Sequence, residues 1–300
     1  MQINIIRSDK VYQELLELPF DKREGCFRAK ILAPFATKYQ TQHIPLKAKY
    51  PGGFDALFLL GFMNQLPATL SEKDRPAIDS LSSDQLWQNC QDTIKRSIGL
   101  FEQAGYDLEV EDYHFTILLG NPEKPMLQLN KGYSGDGGIP GYLMLSLLPN
   151  DYTLPRVQAA LAHECNHNVR FQFVKWNQQT TLADWVVSEG LAESFAAELY
   201  GKDLIGSWVT STSPEQLEEI KPIISSQLQL TGMAEMAPYL YGDEIAKIQG
   251  QIPVGMPYAA GYAYGYHLIQ AYLKKTGKSI IEATVTSTEE ILEATKDFWK

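Results

Sequence analysis

Residues 163–167 read His-Glu-Cys-Asn-His, and this pentapeptide constrains the chain more than any other stretch of its 300 residues. Two imidazoles four positions apart come within reach of one ion only on a helix, where i and i+4 stack turn over turn. On a strand the same spacing would separate them by about 13 Å. The flanks agree with a helix. Pro155 sits just inside its start, Asp151 or Thr153 is available as a cap, and the segment runs to about Phe173. His163 and His167 then share one face and can bind a single zinc ion. Glu164 lies about 100° round the axis from His163, beside that face, where a base could take a proton from a metal-activated water. Cys165 points away and reads as a buried, inert thiol.

A catalytic zinc site keeps one position open for water and takes about three protein ligands, so the chain has to supply a third. Glu189 is the best candidate. Glu189 falls 22 residues after His167 (189 − 167 = 22), which leaves room for the first helix to end, a turn near Asn177 to Thr181, and two turns of an antiparallel second helix. Thr180 or Thr181 marks the start of that second helix and Gly201 its end. Glu193 falls one turn beyond Glu189 on the same face, where it could accept a hydrogen bond from the non-ligating nitrogen of a zinc-bound histidine. Trp185, Val186, Val187, Leu191, Ala192 and Phe195 make this helix apolar on most sides, so its carboxylates need partners. Gly190 costs about 1 kcal/mol against alanine in a helix interior, which points to close helix packing.

The rest of the chain predicts an α+β arrangement. A strand at Ile3 to Arg7 is followed by mostly helical signals to about residue 105, including Cys26 to Tyr39, Phe54 to Leu66 and Ser83 to Ala104. Residues 113–119 read as a strand, and Met126 to Leu129 as a second extended piece. Gly132 to Gly138 reads as a mobile glycine-rich loop, and Gly141 to Leu148 as another strand. From about Pro214 the pattern is mostly helical. The expected organisation is a mainly helical region over 1–105 and a region over 106–300 carrying the strands, the two-helix site and a helical C-terminal part, packed as one unit.

The formal net charge of −10 offers no long-range attraction for nucleic acid or anionic lipid, so neither is an expected partner. Three scattered cysteines, no export signal and no long apolar run predict a cytoplasmic protein. Oligomeric state is not legible.

The pentapeptide with Asn168-Val169-Arg170, together with Glu189-Gly190-Leu191-Ala192-Glu193 and Gly261-Tyr262-Ala263-Tyr264-Gly265-Tyr266, resembles the YjaZ-like family of predicted zinc-dependent proteases, within the broader gluzincin group. The likeness runs from about residue 110 to the C-terminus. It implies a zincin-like fold, with a small mixed or antiparallel sheet against an active-site helix pair. It also implies zinc on His163, His167 and Glu189, Glu164 as base and later proton donor, and a peptide or protein substrate. Gluzincins lay substrate along an edge strand before the motif helix, a place that Gly141, Tyr142 and Leu143 would occupy. Tyr262 and Tyr266, one turn apart, could donate to a developing oxyanion, and His267 beside them is a lesser candidate. The rival reading is a non-catalytic binding or regulatory protein that keeps zinc for its fold. Against it stands Glu164, since a structural zinc site has no use for a base.

Overall fold

The computed structural model describes residues 1–299, which form two compact units. The first comprises Met1–Arg96 and Glu109–Glu164, the second Ser97–Leu108 and the chain from Cys165 onward. The division therefore does not follow the boundary expected near residue 105. Residues 1–96 belong with the strands, and the dividing line passes through a helix between Glu164 and Cys165.

The first unit is built on a four-stranded mixed sheet in the order β1-β2-β4-β3, comprising β1 (Gln2–Ile5), β2 (Asp112–Leu119), β3 (Tyr133–Ile139) and β4 (Tyr142–Leu147). β1 and β4 both run parallel to β2, and β3 runs antiparallel to β4. β2 is buried along most of its length, as its nearly unbroken apolar run Phe115 to Leu119 requires of a strand covered on both faces. Ser8, at the start of the helix Ser8–Glu17, donates its hydroxyl to the Ile117 carbonyl, and the Tyr12 hydroxyl accepts the Leu119 N–H at 3.2 Å.

Several local readings change. Residues 132–138, expected as a mobile loop, are mostly the edge strand β3, with a register shift between Asp136 and Ile139. Gly141, Tyr142 and Leu143, expected at an edge, lead into or lie on β4, which is hydrogen-bonded on both sides. The outer strands are β1 and β3. Met126 to Leu129 is one helical turn, Pro125–Leu129, because Pro125 suits its first position. In Phe54 to Leu66 only Ala56–Leu60 is helical, capped by Asp55, whose carboxylate accepts the Phe58 N–H at 2.9 Å.

In the second unit the helix Leu182–Tyr200 is buried almost all round, opened by a Thr181–Asp184 capping box and stopped by Gly201 at φ 94°. The helix Ala260–Thr276 crosses it with the backbones in contact. A Cβ on Gly190 would stand 2.1 Å from the Gly265 carbonyl oxygen, and one on Gly265 would stand 1.9 Å from that of Val186. Only glycine permits this approach. Among the described residues no helix is long and apolar enough to cross a membrane.

Candidate metal centre

The pentapeptide lies on the helix Val157–Phe173, preceded by a single 3-10 turn at Leu154–Arg156. His163 and His167 are one turn apart on it and both are buried, as is Glu189 on the helix Leu182–Tyr200. One ligand atom from each of the three lies within 4.8 Å of the other two. His167 Nε2 is 3.3 Å from Glu189 Oε2. That is the edge of a tetrahedron whose centre is about 2.0–2.1 Å from each vertex, the usual zinc–nitrogen and zinc–oxygen distance. Two imidazole nitrogens and one carboxylate oxygen, buried together, are a donor set that fits a divalent zinc ion with a coordination position left over.

Packing fixes this geometry. The Phe171 ring stacks on His167 at 5.7 Å between centroids and 8° between planes. Arg170, fully buried, donates Nε to the Ser188 hydroxyl (3.1 Å), one terminal nitrogen to the carbonyls of Thr284 (2.8 Å) and Thr286 (3.0 Å), and the other to the Thr288 hydroxyl (3.1 Å). Burial draws its pKa down to about 10, which leaves it charged at neutral pH. Asn166, also fully buried, donates to the Thr284 hydroxyl at 2.7 Å. Asn166 and Arg170, three and seven positions after His163 and so on the same side of the helix, thus tie the motif helix to the helix Ile280–Val285 and its exit. Neither role is visible locally, because all their partners but Ser188 lie more than 100 residues away in the chain. Phe171 and Ser188, the residue before Glu189, also line a cavity of about 220 Å³ together with Trp176, Thr180 and Asp184.

Glu164, 7% exposed, meets the edge strand in the first unit. A Cβ on Gly135 would lie 2.0 Å from its carboxylate oxygen, and one on Gly137 2.3 Å from its backbone oxygen. Glycines at i and i+2 of a strand share one face. Their spacing was the available sign that residues 132–138 press a bare backbone against a neighbour. Between them, Asp136 forms a 2.8 Å ion pair with the buried Lys38, which fastens β3 at this point.

Glu193 is buried, and its carboxylate accepts the Gly206 N–H at 2.5 Å and the Trp208 indole N–H at 2.7 Å. These bonds hold the segment that follows the helix. Tyr266 is buried with Ile205 and Val209, packed against Ala197 and Trp208, and burial with the charge of Glu193 pushes its hydroxyl pKa up. Tyr262 is half-buried, its ring 6.3 Å from Trp208 and 6.1 Å from Tyr241. His267, edge-on to Tyr266, has its pKa lowered by burial and by Lys221. Cys165 is buried as expected of an inert thiol.

Comparison with known proteins points the same way. Residues 86–293 match the family described as "Predicted Zn-dependent protease (DUF2268)". Uncharacterized protein YjfC of Bacillus subtilis (strain 168) is 33% identical over 293 residues, 97% of each chain. Uncharacterized protein YjaZ of the same organism is 26% identical over 155 residues, 50% of this chain and 55% of that one. No solved structure matches.

Proposed function

The chain belongs to the family of predicted Zn-dependent proteases, and on that premise we propose that it is a zinc metallopeptidase of gluzincin type. The observation that carries this reading is the buried set His163, His167 and Glu189, with ligand atoms within 4.8 Å of one another and Glu164 next to one ligand in sequence. Zinc bound there would acidify a water and polarise the scissile carbonyl. Glu164 takes the proton as the water oxygen attacks the carbonyl carbon, and delivers it to the amine nitrogen as the carbon–nitrogen bond breaks.

The substrate strand is proposed to lie beside β3, in place of the Gly141 to Leu143 stretch. β3 is one of the two outer strands of the sheet, and its glycines bring its backbone onto Glu164. The cavity beside Phe171 and Ser188 would take a substrate side chain. Tyr262 and Tyr266 are the proposed oxyanion donors. A phenol whose pKa is pushed up, as at Tyr266, keeps its proton and remains a donor. Cys26, Cys90 and Cys165, none of them in a disulfide, fit a reducing, cytoplasmic location.

The test combines metal analysis with cleavage of a broad peptide library. The expected result is about one zinc per chain, and cleavage that a chelator stops and added zinc restores. Glu164→Gln should retain the zinc and lose cleavage. An active Glu164→Gln protein sinks the mechanism. Stoichiometric zinc without cleavage under any condition would assign the site to a non-catalytic binding role.

A further inference from the structure

In the first unit, Phe54, Phe58 and Phe62 recur every fourth position and pack into an outward ridge. Their ring centroids are 5.8 Å apart for the first pair and 5.4 Å for the second, which is edge to face. The three are 53%, 49% and 51% exposed, and Tyr50 in the preceding turn is 70% exposed. At roughly 200 Å² per aromatic side chain, the three contiguous rings present roughly 300 Å² of aromatic surface, a patch of the size that is often functional.

The ridge is held in shape. The Asp55 carboxylate accepts the N–H groups of Phe58 (2.9 Å) and Ala48 (3.0 Å) and pairs with Arg28 at 2.8 Å, clamping the turn that presents the rings. From residue 44 to 63 the only charged side chains are Lys47, Lys49 and Asp55. Asp55 is buried in its pair with Arg28, so the charge the segment offers to solvent is that of two exposed lysines.

We propose that this ridge docks on an anionic lipid bilayer surface, with the aromatic rings in the interfacial zone and Lys47 and Lys49 against headgroup phosphates. Rings flanked by lysines match that partner in both polarity and charge. An isologous dimer through the same patch would bring the lysines of two copies together, each copy carrying a formal net charge of −10. The expectation that the acidic chain avoids anionic lipid holds only at a distance. Screening within about 8 Å at physiological salt leaves the contact to the local charges.

The full chain is to be co-sedimented with phosphatidylcholine vesicles, with and without phosphatidylglycerol, at low and high salt. It should bind the mixed vesicles, less so at high salt. The Phe58→Ser/Phe62→Ser double variant should bind at least about ten-fold more weakly, and Lys47→Glu/Lys49→Glu should lose the part that depends on phosphatidylglycerol. All four side chains are exposed, so circular dichroism and the thermal midpoint should match the parent protein. The proposal is overturned if the parent stays in solution with mixed vesicles, or if both variants bind them as it does. It is equally overturned if Phe58 and Phe62 support a dimer in sedimentation velocity while vesicles are ignored.

Discussion

Replacing Gly190 with alanine sets two effects of known sign against each other. Inside a helix the change should stabilise by up to about 1 kcal/mol, through better helix propensity alone. At this position the new Cβ would lie 2.1 Å from the Gly265 carbonyl oxygen, 2.3 Å from its carbon and 2.9 Å from Ile269 Cγ1. Carbon and oxygen normally approach no closer than about 3.3 Å, so the helices Leu182–Tyr200 and Ala260–Thr276 would have to part by more than about 1 Å. Overpacking of this kind costs about 1–3 kcal/mol. The upper end applies here, because the atoms in the way are backbone and cannot rotate aside.

The net expectation is a loss of about 2 kcal/mol, a fall in thermal midpoint of about 4–8 °C. Unfolding should be followed in the presence of a chelator, so that metal binding does not mask the packing term. Gly99→Ala is the control. Gly99 is also inside a helix, Asp84–Gln103, and its nearest neighbour is the Gln103 side-chain nitrogen at 3.8 Å, so only propensity applies and the protein should gain stability. Because Glu189 precedes Gly190, the same parting of helices should weaken zinc binding in Gly190→Ala and leave it intact in Gly99→Ala. If both variants shift stability in the same direction, the backbone contact between the two helices is not what requires glycine.

Arg170→Ala should destabilise by about 3 kcal/mol or more, since it leaves the Thr284 and Thr286 carbonyls and two hydroxyls buried without their donor; denaturant titration measures it. Gly137→Ala, whose Cβ would strike the Glu164 backbone oxygen, should depress cleavage while zinc content stays near one per chain, as metal analysis and peptide assays would show. A thiol-directed reagent should modify the half-buried Cys26 first. Cys90, with its pKa pushed up to about 12 by burial, and the buried Cys165 should react only on unfolding, which peptide mapping by mass spectrometry resolves. His267 has a folded pKa below its unfolded value of 6.5, so the unfolded chain binds its proton more readily. Stability should therefore fall as the pH drops from the unfolded value through the folded one, and His267→Gln should remove that part of the acid sensitivity measured by denaturation.

The pentapeptide helix, the start of the second helix at Thr180 or Thr181 and its stop at Gly201, and the pairing of Glu189 with the histidines are all legible from the amino-acid sequence. Each depends on hydrogen bonds or side-chain spacings within about one helical turn, or on two helices joined by a short connection. The glycine at 190 announced a close approach because its cost inside a helix needs a compensating contact. What approached it, the backbone at Gly265, was decided 75 residues away (265 − 190 = 75). The same holds for the sheet. Local composition identified Gly141 to Leu148 as a strand, but a strand becomes central or edge only by pairing with segments elsewhere in the chain, and glycine-rich residues 133–139 took the edge. Nothing in the helical spacing of Arg170 and Asn166 names their partners, and only the fold brought them the buried acceptors of residues 284–288. The donor atoms of this site were thus written locally, while the surfaces that hold and frame them depend on contacts between distant parts of the chain, which no local pattern encodes.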